Sequence, residues 1–117
     1  KGTDRRLHSV DLAGNEIKIQ SIMKAYWITR CHVHNSDEYD QYIKLAGPAI
    51  NKHGGTFLVR GGDQVELEGG PYERTVLVEF NSMNEAKLCY ESREYQEALK
   101  YSSNSSNRHV VLVEGVN

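Results

Sequence analysis

The sequence is short of several things, and each shortage excludes something. No apolar run approaches the ~18 residues that a membrane span needs, so the chain is read as not integral to a membrane. Residues 1–22 also lack the continuous apolar stretch of a secretory signal. There is no surplus of positive charge: 14 Lys and Arg stand against 16 Asp and Glu, giving -2 at pH 7. That balance is wrong for displacing counterions from phosphates and argues against a nucleic-acid partner. There are only two cysteines. Cys31 and Cys89 cannot make a four-thiolate site and show no Cys-x-x-Cys spacing. Read as reduced thiols, they favour a cytoplasmic setting. With 117 residues the chain has room for one domain and not for two.

What is present falls into an ordered pattern. Leu7–Leu12 and Ile17–Gln20 alternate weakly around Ala13-Gly14-Asn15-Glu16, as a β-hairpin would. Such a hairpin is marginal alone. Residues 1–22 are therefore read as an N-terminal extension or an expression remnant, with Met23 equally able to be a natural start. Residues 23–117 are expected to be one α+β domain. Lys24–Val33 is rich in aromatic and β-branched residues and predicts a strand. Asn35 with Glu38 three residues on predicts a helix start. Tyr39, Tyr42, Ile43, Ala46 and Ile50 recur at helical spacing. Pro48 predicts a kink or break near Gly47, and Gly54-Gly55 a helix end.

Thr56–Arg60 predicts a second strand, which Val65–Glu68 can continue beyond a glycine bulge. Gly69-Gly70-Pro71 is a turn, and Arg74–Phe80 a third strand. Ser82 with Glu85, and then Ser92, open two helical stretches. Residues 102–107 read as a polar loop, and His109–Glu114 as the last strand. The order β-α-β-β-α-β predicts a ferredoxin-like fold with a four-stranded antiparallel sheet and the helices on one face.

Alternation divides the strands into two faces. Trp27, Thr29, Cys31, Val33, Phe57, Val59, Val76, Val78, Phe80, Val111 and Val113 are expected under the helices. Ile28, Arg30, His32, Leu58, Arg60, Thr75, Leu77, Glu79, Val110, Leu112 and Glu114 are expected on the other face. That second set is both apolar and ionic. Left in water it would expose a patch of the kind that marks an interface. Two copies packed sheet on sheet would cover it, with Arg30 and Arg60 pairing with Glu79 or Glu114. A homodimer is therefore expected; the competing reading is a monomer whose N-terminal hairpin covers the face.

The residues also resemble a known family. Tyr26-Trp27-Ile28, Pro48-Ala49-Ile50 followed by Gly54-Gly55, and Phe57-Leu58-Val59-Arg60-Gly61-Gly62 look like the domain of unknown function 1330 family. Val78-Glu79-Phe80, Tyr90-x-Ser92-x-x-Tyr95 and Val111-Leu112-Val113-Glu114-Gly115 fit it too. The resemblance covers roughly residues 23–116. It implies membership of the dimeric α+β barrel group, in which two ferredoxin-like sheets close into one barrel. It implies no particular reaction.

Arg60 beside Gly61 suits an anionic oxygen of a small organic acid or ketone, and Arg30, Tyr42 and Tyr95 are the other candidate ligand contacts. His32 and Glu79 are the candidate proton carriers. Each has a plainer reading: Arg60 and Glu79 as an ion pair, His32 as a solvated histidine, Tyr42 and Tyr95 as core. His32-x-His34 with His53 and His109 offers imidazoles, yet a solvated histidine is the commoner outcome, and no metal or cofactor is assigned. Gly61-Gly62 lacks the following helix and lysine of a phosphate loop. Two functions stay open: a cofactor-independent acid–base enzyme, and a noncatalytic small-ligand binding or interaction protein.

Overall fold

The structure, a computed structural model, describes residues 6–10, 12–13, 16–20 and 23–116. In chain order its elements are β1 (Arg6–Val10), β2 (Glu16–Gln20), β3 (Ala25–Val33), α1 (Ser36–Lys52), β4 (Thr56–Arg60), β5 (Arg74–Phe80), α2 (Met83–Glu91), α3 (Arg93–Ser105) and β6 (Ser106–Glu114). β1 and β2 pair antiparallel in a two-stranded sheet of their own. The turn residues Gly14 and Asn15 lie outside the described residues. Among the described residues no helix is long and apolar enough to cross a membrane.

The main sheet has the order β4-β5-β3-β6, every neighbour antiparallel. This is the ferredoxin-like order. β3 sits inside the sheet because Ala25, Trp27, Thr29 and Cys31 are all buried on its helix side. Trp27 packs edge-on to Tyr95 with ring centroids 4.8 Å apart, and stacks on Phe80 at 6.0 Å. Such aromatic pairs contribute about 0.5–1.5 kcal/mol beyond the area they bury.

Local chemistry sets the helix ends. The side chain of Asn35 accepts from the Glu38 amide, and that of Ser82 from the Glu85 amide. At the end of α1 the amides of Gly54 and Gly55 donate to the carbonyls of Asn51 and Ile50, with Gly54 at φ +89. That satisfies carbonyls the helix would otherwise orphan. α1 is not broken at Pro48 as expected; it runs through to Lys52. Pro48 and Lys44 are both exposed, so the carbonyl that loses its intrahelical donor faces water.

Three other expectations are corrected. Val65–Glu68 is not a strand; residues 61–73 run irregularly across the sheet's open face. The expected polar loop is the end of α3 and the start of β6. The serine hydroxyls there donate back into the helix, Ser102 and Ser103 to Leu99, Ser105 to Tyr101 and Ser106 to Ser102. Finally, the faces of β6 are exchanged. Trp27 opposes Leu112 and Ile28 opposes Val111, so Val110 and Leu112 meet the core while Val111 and Val113 face outward. A run of four consecutive apolar residues carries no alternation from which the phase could be read.

Candidate functional site

β4 holds the feature that makes a site. Phe57 opposes Val78 but Val59 opposes Leu77, so a bulge sits at Leu58. The extra residue reverses the faces beyond it. Arg60 therefore opposes Val76 and lies on the helix side, and Val59 takes the place on the open face that alternation had given to Arg60. The expected pairing of Arg60 with Glu79 is thereby ruled out, since the two side chains leave opposite faces.

Arg74 opens β5 in phase with Val76, on the same side as Arg60. The two are diagonal cross-strand neighbours, near enough for long side chains to interact. Two glycines make room for them. A Cβ on Gly47 of α1 would lie 2.7 Å from Nη2 of Arg60, and one on Gly61 would lie 2.2 Å from Nη1 of Arg74. Arg60 spreads over the Phe57 ring at 4.0 Å, and Arg74 lies 5.9 Å from the Tyr39 ring. Among the described residues neither guanidinium has an ion pair or hydrogen bond, and Nε of Arg74 is buried without a partner.

The two arginines flank a cleft between α1 and the sheet, lined also by Trp27, Thr29, Tyr39, Tyr42 and Val76. Its free volume is about 30 Å³, enough for one or two water-sized groups. A carboxylate head fits that space.

Behind Tyr39 and Tyr42 lies a third guanidinium. Arg108 donates to the Tyr95 hydroxyl at 2.9 Å and the Tyr39 hydroxyl at 3.3 Å, and lies 4.6 Å from the Tyr42 ring. Tyr42 and Tyr95 share a hydrogen bond of 2.7 Å. Burial pushes the Tyr39 and Tyr95 phenols above their ordinary range even against the pull of Arg108. Burial by itself would depress Arg108, but the facing phenols of Tyr42, Tyr95 and Tyr39 outweigh it and hold it above its usual value. Arg108 is thus a cation partnered by neutral phenols. The side of the sheet under α1 carries three guanidiniums, and none is paired with a carboxylate among the described residues.

The expected site residues divide between the two faces. Arg60, Gly61 and Tyr42 belong to the cleft, whereas Tyr95 is fully buried behind Tyr42. Arg30, His32 and Glu79 lie on the opposite face, each already engaged. Nη2 of Arg30 reaches both carboxylate oxygens of Glu66 at 2.7 Å, in place of the expected Glu79 or Glu114. Nδ1 of His32 lies 2.9 Å from Glu73. Glu79 accepts from the Tyr26 hydroxyl at 3.0 Å, with Nζ of Lys24 at 3.7 Å. Glu79 opposes Tyr26, and His32 lies six residues further along β3, roughly 20 Å away at strand rise. They do not form an acid–base pair, and neither reaches the cleft.

Reasoning from sequence missed Gly47, Arg74 and Arg108. The phase of β5 would have found Arg74, two residues before Val76. Arg108 was hidden by reading the preceding serines as a loop.

A family model described as Domain of unknown function (DUF1330) matches residues 24–116. No curated protein matches the chain. Among solved structures, it is similar to the RPA0582 protein of unknown function from Rhodopseudomonas palustris, at TM-score 0.69 and 14% identity, over 81% of this chain and 84% of that one. It is similar to a dimeric ferredoxin-like protein of unknown function from Thermobifida fusca, at TM-score 0.52 and 16% identity, over 80% and 92%. It is also similar to SnoaB, a cofactor-independent oxygenase from Streptomyces nogalater, at TM-score 0.53 and 8% identity, over 81% and 95%. At these identities the likeness is one of fold.

Proposed function

Because the chain belongs to the DUF1330 family, whose description names no activity, we propose a function from the site itself: binding of a small organic acid by Arg60 and Arg74. The carrying observation is the pairing of two like charges. Diagonal guanidiniums on one sheet face repel each other, and among the described residues no carboxylate stands between them. A ligand carboxylate would supply the missing charge and accept hydrogen bonds from both. Trp27, Tyr42 and Phe57 line the same cleft, whose free volume admits the carboxylate head and little more.

The cleft favours binding over acid–base catalysis. No carboxylate or imidazole is among its lining residues, and burial keeps the Tyr39 phenol protonated at neutral pH.

The open face of the sheet supports a second element of the reading, a homodimer. Ile28, Val59, Leu77, Val111 and Val113 form an apolar surface there, with Val59, Val111 and Val113 each about two-fifths exposed. The free, buried thiols of Cys31 and Cys89 fit a reducing compartment such as the cytoplasm.

The test is thermal unfolding with a panel of small carboxylic and oxo acids, against wild type, Arg60→Ala and Arg74→Ala. At least one acid should raise the wild-type Tm, and both variants should lose that rise. If every acid that stabilises wild type stabilises both variants equally, the arginines are not the site.

A further inference from the structure

The chain between Arg60 and Arg74 is a strap of unusual composition. It reads Gly61-Gly62-Asp63-Gln64-Val65-Glu66-Leu67-Glu68-Gly69-Gly70-Pro71-Tyr72-Glu73, with four carboxylates and no lysine or arginine. It does not hang free. Thr75, Arg30 and His109 form one row across β5, β3 and β6 on the open face of the sheet. Thr75 donates to Gln64 at 2.7 Å, Arg30 to Glu66 at 2.7 Å, and His109 Nε2 meets the Tyr72 hydroxyl at 3.0 Å. Gln64 also ties the strap to itself through Glu66 and the Tyr72 carbonyl. His32, one step further along β3, holds Glu73.

These contacts turn Glu66 inward. Its neighbours Val65 and Leu67 are left 82% and 88% exposed. Two aliphatic side chains held almost wholly in water by a fixed loop need an explanation. The other half of the same face has the complementary defect. Beyond the strap lie the rows Val59-Leu77-Ile28-Val111 and Glu79-Tyr26-Val113, in which Val59, Val111 and Val113 are exposed and the others half-buried. Lys24 lies at that end, whereas Asp63 and Glu68 on the strap make no ion pair among the described residues.

The geometry points to a reciprocal occupant: a second copy of this chain, whose strap seats Val65 and Leu67 on the other half of this sheet. This rests on the homodimer reading and specifies how it is built. One half of the face carries a strap and the other half an apolar patch. A two-fold axis lying between the two sheets, parallel to them and running across the strands at the boundary of strap and patch, therefore brings each strap over the partner's patch, so that one contact is made twice, as an isologous interface requires. The strap prevents direct sheet-on-sheet contact over the Arg30 row. The two sheets then meet through it.

Light scattering separates the two levels of the claim. Wild type is measured across micromolar concentrations beside Leu67→Asp and Val111→Asp, one change on the strap and one on the patch. Both variants should raise the dimer dissociation constant roughly tenfold or more, as removing one buried aliphatic contact does. Separately purified Leu67→Cys and Val111→Cys are then mixed under mild oxidation. A covalent heterodimer should form in the mixture and in neither variant alone. A wild type that is monomeric throughout overturns the dimer, and the strap with it. A dimeric wild type, with Leu67→Asp equally dimeric and no cross-link in the mixture, overturns the strap and leaves the dimer standing.

Discussion

Gly47 is a residue whose value lies in what it lacks. A glycine inside a helix costs about 1 kcal/mol relative to alanine, and α1 carries this one on its buried side. The space it leaves holds the end of Arg60. Gly47→Ala should therefore act on two properties in opposite directions. The helix gains up to about 1 kcal/mol from propensity. The new methyl lies 2.7 Å from Nη2, so the guanidinium must move, which a long side chain does cheaply. The expected result is an unchanged or higher Tm in buffer with a weakened rise on adding the stabilising acid. Equal acid response in Gly47→Ala and wild type would show that the seat of Arg60 is unimportant. Gly61→Ala should behave differently, because Gly61 has φ +73. A side chain there is strained before it meets Arg74, at a cost of about 1–2 kcal/mol, so its Tm should fall.

Among the elements, those fixed by neighbouring residues could be read from sequence and those fixed by register could not. Asn35, Ser82 and Ser92 each announce a helix because the capping oxygen and the amide it serves lie three residues apart. Ser92 does this twice over: its hydroxyl accepts from the Tyr95 amide to start α3 and donates to the Cys89 carbonyl to finish α2. Ser92→Ala should cost at least about 1 kcal/mol and lower Tm by several degrees in thermal melts. The bulge at Leu58 and the phase of Val110–Val113 left no such local mark, because an apolar strand residue fits either face. Arg60 was therefore found as a candidate but assigned to the wrong side, and with it the partnership with Glu79.

The strap is an element that titrates. Bonds from the Val33 amide and then from His32 hold the Glu73 carboxyl down at about 2, against an ordinary value near 4.5. A carboxylate lowered by folding stabilises the folded form above its unfolded pKa and loses that contribution as pH falls through the folded one. Attachment of the strap should thus be complete above about pH 5 and weaken progressively towards about 2. Hydrogen exchange at the Val33 amide over that range would show it. Glu73→Gln should flatten the dependence, and an equally steep one in that variant would place the titrating group elsewhere.

At the scale of the whole molecule the sheet separates the two proposed functions. One face, under α1, carries Arg60, Arg74 and, behind the tyrosines, Arg108. The other carries the strap and the apolar rows. Both openings of the strap lie at cleft residues, since it leaves the sheet after Arg60 and returns at Arg74, but its anchors are on the far side. If the two faces act independently, their energies should add, as they do for separated sites without shared partners. A dimer that dissociates on unfolding melts at a temperature that rises with protein concentration, and a ligand raises Tm by mass action on its own. Arg60→Ala should keep the concentration dependence and lose the acid-induced rise, and Val111→Asp should do the reverse. Calorimetric scans of both variants and the double variant, over a hundredfold range of protein and with saturating acid, would check this. Loss of acid response in Val111→Asp would mean that the cleft closes only when the second copy is seated, and that the strap carries the coupling through Arg74.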